Sequence, residues 1–148
     1  MAATRQARAV WEGDLSTGKG TVDALSSGRF TGLPVSWASR TEAAKGQSSP
    51  EELLSAAHAS CFAMALSHGL AGQGTPPTRL EVAATVTFDK VGAGWAVTAS
   101  ELEVKGVVKG IDQASFKKAA DDAKDGCPIS VALKGNVKLS VKASLVSS

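Results

Sequence analysis

The sequence predicts an α+β fold, expected as a single domain over residues 1–148. Three observations carry that expectation. One long apolar segment, residues 53–70, follows a helix-start signature. Two stretches of strict apolar/polar alternation come after it, around residues 80–88 and 137–145, the period of half-buried strands. Between those stretches, residues 112–126 repeat their apolar positions at helical spacing. Strands and helices that come in such unequal runs belong to an α+β arrangement rather than to alternating βαβ units.

Short strands are expected first, at residues 8–12, 21–25 and 34–39, with glycines at 18 and 20 marking a turn. A polar connector, residues 41–48, leads into Ser49-Pro50-Glu51-Glu52. A hydroxyl at N-cap, proline at N1 and glutamates behind it start a helix, and Ser49 and Glu52 are spaced for a capping box. The helix should run to about residue 70 and stop before Gly72, Gly74, Pro76 and Pro77. Its body is apolar or small nearly all round, so it should be central and enclosed. Its many alanines and serines allow another helix to approach closely, including the same helix of a second subunit.

Leu80, Val82, Ala84, Val86 and Phe88 then share one face of a strand, and Val91-Gly92-Ala93-Gly94 turns the chain back. In the return strand Trp95, Val97 and Ala99 have one parity and Leu102, Val104 and Val108 the other, which predicts a bulge near Ser100 and Glu101. Phe116, Ala119, Ala120 and Ala123 form one face of the next helix, with Gly126 as its cap. Pro128 suits the first turn of a further short helix, and Val137, Leu139, Val141, Ala143 and Leu145 alternate in a last strand.

Sixteen basic and fourteen acidic residues leave a formal charge of +2, scattered along the chain. That pattern argues against nucleic acid or a membrane surface as partner. No apolar run follows the basic residues of the N-terminus as in a secretory signal, and the interrupted segment 53–70 suits a buried helix better than a membrane span. A cytoplasmic location is expected. There, the two cysteines are free buried thiols, metal ligands or a redox pair.

Cys61 falls in the middle of the long helix, where a cysteine commonly behaves as a small apolar residue. Cys127 precedes Pro128 at a helix start, where free amides and the positive end of the dipole stabilise a thiolate. His58 is three residues before Cys61, so the two share a helix face as base and thiol, as two metal ligands, or as a packed histidine beside a thiol. A zinc site would need two more ligands, and the sequence has no close Cys or His pair to offer them. On one straight helix Glu51 and Cys61 stand about 15 Å apart along the axis and about 80° apart round it. A carboxylate at Glu51 meets the thiol only if the helix breaks or a second subunit brings its own Glu51; otherwise it is a favourable charge at a helix N-terminus.

The stretch from Ser49 to Leu66, with Ala57-His58-Ala59-Ser60-Cys61 at its centre, resembles the signature of the OsmC/Ohr family, and Cys127-Pro128-Ile129-Ser130 resembles its second cysteine motif. Both motifs look more like the OsmC branch than the organic hydroperoxide resistance branch. The resemblance implies an intertwined homodimer, two long central helices wrapped by antiparallel and mixed sheets, with active sites at the subunit interface. It implies a peroxidase without cofactor or metal, in which Cys61 attacks a hydroperoxide, Cys127 resolves the sulfenic acid as a disulfide, and an external dithiol restores the pair. Glu51 is then the acidic partner and Arg40 the arginine, with Arg29 its rival. A face around Leu54, Phe62 and Met64 would favour organic hydroperoxides. The competing reading is a non-catalytic dimer of the stress response that binds an apolar ligand at its interface.

Overall fold

Two-residue alternation and a tight turn generate the largest substructure, a hairpin of β4 (Pro77–Val91) and β5 (Gly94–Val108). Gly92 supplies the positive φ of 61° on which the turn depends. The computed structural model describes residues 1–147, with the side chain of Ser147 left aside. The chain divides into two compact units, Met1–Leu53 and a second from Leu54 onward.

In the first unit β1 (Ala7–Glu12), β2 (Lys19–Ala24) and β3 (Leu33–Val35) form an antiparallel sheet in that order. Arg8 pairs with Asp23 directly across β1 and β2, at 2.8 Å. The third strand is shorter than expected: after Val35 the chain enters a five-residue helix, α1 (Trp37–Thr41). The cause is local. Ser36 caps the helix, its hydroxyl accepting from the Ser39 amide, while the Ser39 hydroxyl accepts from the Ser36 amide. Serines three apart gave the sequence a helix start that alternation hid.

The long helix, α2 (Pro50–Gly72), begins where its signature placed it. The Ser49 hydroxyl accepts from the Glu52 amide at 3.1 Å, and the Glu52 carboxylate accepts from the Ser48 hydroxyl at 2.7 Å. Only one stripe of α2, His58, Phe62, Leu66 and Leu70, is fully buried. These residues recur every fourth position, one face of a helix. By length and composition α2 is apolar enough to cross a membrane. Its buried stripe nevertheless carries a histidine bonded at both nitrogens and packs into the core of the second unit.

That core joins the α2 stripe to Leu102, Val104 and Val108 of β5 and to Phe116, Ala119, Ala120 and Ala123 of α3 (Gln113–Gly126). A fully buried side chain such as Phe62 or Phe116 contributes on the order of 1.5–3 kcal/mol. Gly106 is obligatory beneath this helix, because a Cβ there would overlap the Phe116 ring. The sheet has the order β4-β5-β6, with β6 (Lys138–Ser147) parallel to β5. The parity change in β5 is a bulge at Thr98, where Thr87 and Phe88 oppose Ala99 and Val97. It lies slightly before the expected position, and from Ser100 onward the even-numbered residues face the core. Asp112 caps α3, and Cys127 stands between α3 and α4 (Pro128–Leu133) as C-cap of one and N-cap of the other.

Candidate active site

Two cysteines from separate elements meet in the second unit. Cys61, midway along α2, is half-buried, and Cys127 is fully buried. Their sulfurs are 3.2 Å apart, roughly 1 Å longer than a disulfide bond. The N-cap position explains the environment of Cys127: the Ser130 amide donates to its sulfur at 3.5 Å, one of the free amides at a helix start.

Two thiols this close share their titration, because two adjacent anions repel. Burial pushes the Cys61 thiol up, the Ile129 amide pulls it back by donating to the sulfur, and the hydrogen bond and charge of Cys127 raise it further, so that the thiol stays above its ordinary value. Burial alone would also raise Cys127, but hydrogen bonds from the Ser130 hydroxyl and amide, from Cys61 and from the Ile129 amide outweigh it and bring this thiol down. Within one chain the first negative charge of the pair therefore falls on Cys127.

In the first unit Arg40, on α1, grips Glu51, in the first turn of α2. Arg40 Nη2 donates to Glu51 Oε1 at 2.7 Å, and Nε lies 3.1 Å from both carboxylate oxygens. This is the fork geometry that fixes a guanidinium plane. The Trp37 ring adds a second constraint, its centroid 5.5 Å from the Arg40 guanidinium carbon. Glu51 is buried and the Arg40 side chain 27% exposed, so the cation stays presentable. Arg29 is exposed in a turn. A pocket of about 290 Å³ opens beside Arg40, lined by Trp11, Leu15, Val35, Trp37 and Pro50.

His58 is buried, and its partners are not Cys61: Nδ1 lies 2.6 Å from Ser100 Oγ and Nε2 2.8 Å from Ser130 Oγ. Sequence reasoning missed both serines. A signal existed, since Ser100 is a polar residue on the buried parity of β5, and Ser130 is three positions after an N-cap cysteine. The expected face of Leu54, Phe62 and Met64 is not formed: Phe62 lies wholly in the core, while Met64 is 72% exposed. Residues two apart on a helix point about 200° apart. Among the described residues no three His, Cys, Asp or Glu side chains gather as metal ligands do.

Two free cysteines in contact, one fully buried at a helix start and the other half-buried on the long helix, form a candidate dithiol site on an α+β scaffold. The chain belongs to the OsmC-like protein family, whose model matches residues 43–142. It is 43% identical over 139 residues to Peroxiredoxin OsmC of Escherichia coli (strain K12), and equally to that of Shigella flexneri, covering 94% of this chain and 96% of each relative. Among solved structures, the organic hydroperoxide resistance protein OhrB of Bacillus subtilis is 26% identical with a TM-score of 0.71, over 94% of this chain and 98% of that one. The OsmC-like protein of Mycoplasma pneumoniae, at 16% identity, shares the fold with a TM-score of 0.73 over 99% of each chain.

Proposed function

We propose that this chain reduces hydroperoxides with thiols: Cys61 attacks the peroxide, Cys127 resolves the product, and Arg40 held by Glu51 activates the attack. The observation that carries this reading is the 3.2 Å separation of the two sulfurs, in a family whose relatives include a named peroxiredoxin.

The thiolate of Cys61 displaces an alkoxide from the peroxide, the O–O bond breaking as an S–O bond forms. Cys61 becomes a sulfenic acid and the alkoxide leaves as alcohol after protonation. Condensation with the Cys127 thiol then releases water and forms the disulfide. An external dithiol returns both cysteines to the reduced state. An ordinary thiol is only about 3% ionised at pH 7, and a pKa lowered to about 6 raises that fraction roughly thirtyfold.

Since the lone chain favours the charge on Cys127, the attack needs a cation beside Cys61. On an unbroken α2, Glu51 and Cys61 are about 15 Å apart along the axis. We therefore assign the cation to Arg40 of the partner subunit in a homodimer, the two units of each chain acting together as one OsmC-like domain. The uncovered side of α2 supports this, since an apolar helix with Met64 72% exposed needs a cover. The guanidinium would stabilise the Cys61 thiolate and then the departing alkoxide. The apolar pocket beside Arg40 suits the organic part of a hydroperoxide better than hydrogen peroxide. The balanced surface charge fits a cytoplasmic enzyme that works without nucleic acid, membrane or cofactor.

Turnover with a dithiol reductant and cumene hydroperoxide tests the reading. Catalytic consumption that vanishes in Cys61→Ser is expected. No consumption by wild type, with an apolar ligand bound equally by wild type and Cys61→Ser, would favour the non-catalytic ligand-binding dimer.

A further inference from the structure

His58 has no part in the reaction as described, yet its surroundings are specific. The imidazole of α2 is fully enclosed, and so, to within 1%, are both hydroxyls that meet it, Ser100 from β5 and Ser130 from α4. A neutral imidazole has one N–H, so one serine accepts from the ring while the other donates to it. Moving one ring proton and turning both hydroxyls interconverts the two arrangements. An apolar side chain would fill this space without desolvating three polar groups. The connection that gives the triad a use is Ser130. Its amide donates to Cys127 Sγ, and its hydroxyl helps to bring that thiol's pKa down, the effect of a donor on a thiolate. A continuous buried line thus runs from Ser100 through His58 and Ser130 to Cys127, whose sulfur faces Cys61 at 3.2 Å.

We propose that His58 is a positioning residue for the resolving step, orienting the Ser130 hydroxyl to donate to the Cys127 sulfur so that Cys127 attacks the Cys61 sulfenic acid as a thiolate. This rests on the peroxidase reading and concerns its second half. With Nδ1 accepting from the Ser100 hydroxyl, Nε2–H donates to the Ser130 oxygen, which leaves that hydroxyl's own proton for the Cys127 sulfur. The Cys127 sulfur then bonds to the Cys61 sulfur, and the S–O bond of the sulfenic acid breaks. Cys127 is oxidised and the sulfenic sulfur reduced. The departing hydroxide takes up the equivalent of the proton that Cys127 released on ionising, so the products are the disulfide and one water.

The test follows both steps in one experiment. Reduced wild type, His58→Gln, Ser130→Ala and Ser130→Thr are each mixed with one equivalent of cumene hydroperoxide, quenched over time with a sulfenic-acid trap, and weighed intact. In none of the three variants should Cys61 be oxidised more slowly than in wild type. Conversion of sulfenic acid to disulfide should slow by about tenfold, the change in thiolate fraction for about one unit of thiol pKa, in His58→Gln and Ser130→Ala. Ser130→Thr, which keeps the hydroxyl, should resolve normally. In excess peroxide the slow variants should run on to sulfinic acid. Wild-type resolution in both Ser130→Ala and His58→Gln would overturn the proposal, and so would equal slowing of both steps with a matching loss of thermal stability. Failure of wild-type Cys61 to oxidise at all would instead overturn the peroxidase reading, and this one with it.

Discussion

Cys127 Sγ lies 3.2 Å from Cys61 Sγ, and the helix start at Pro128 lowers the first of these thiols while burial raises the second. Of the pair, the sulfur assigned to resolve therefore ionises more readily than the sulfur assigned to attack. An arginine brought to Cys61 would reverse that order, which gives the Arg40–Glu51 fork its part in the proposed mechanism.

Arg40→Met should then lower the second-order rate with cumene hydroperoxide by about 100-fold, the scale for removing one preorganised charge-stabilising donor. Arg40→Lys should recover only part of it, because an ammonium cannot hold Glu51 in a fork. Glu51→Gln keeps the cation and its Trp37 contact but loosens its aim, for an expected loss of about tenfold. Stopped-flow rates for the four proteins check the order wild type, Glu51→Gln, Arg40→Lys, Arg40→Met.

Acid should weaken the fold through His58. Burial lowers its pKa from the usual 6.5, so between the folded value and 6.5 the unfolded chain binds more protons. Stability must rise with pH in that window and fall as pH drops through it. Urea denaturation at about pH 7.5 and about pH 5.5, either side of an ordinary histidine pKa, should show a lower midpoint in acid. His58→Gln should be less stable at the higher pH and less sensitive to acid.

The exposed side of α2 should hold the dimer. Met64→Lys places a charge on a residue that is 72% exposed in the single chain, so it leaves the core intact. A shift from dimer to monomer in light scattering, with melting of the monomer still cooperative and peroxidase rate lost, is the expected result.

Gly106→Val should destabilise the second unit by about 1–3 kcal/mol, the usual range for overpacking, because the new side chain meets the Phe116 ring. Denaturation midpoints of wild type and variant give the value directly.

Strong local signals made most of the fold readable from sequence. The hydroxyl, proline and two glutamates at residues 49–52 announced α2, and alternation announced β4 and β6. Where two signals overlapped, alternation misled: the strand expected over residues 34–39 stops at Val35, where the Ser36 and Ser39 hydroxyls start a helix. The bulge was visible as a parity change, yet parity locates a slip only to within a few residues, and it falls at Thr98. Of the site, the two cysteines and the Arg40–Glu51 pair were named from their motifs. The partners of His58 were hidden because they come from β5 and α4, and no spacing along α2 reports which distant hydroxyls its buried face will meet.

The most direct test mixes reduced protein with one equivalent of cumene hydroperoxide and follows free thiols and intact mass in wild type, Cys61→Ser and Cys127→Ser. The account predicts that wild type loses both thiols as an intramolecular disulfide, that Cys127→Ser gains one oxygen as a trapped sulfenic acid, and that Cys61→Ser is inert. Unchanged wild-type thiols in excess peroxide, or ready oxidation of Cys127 in Cys61→Ser, would contradict it.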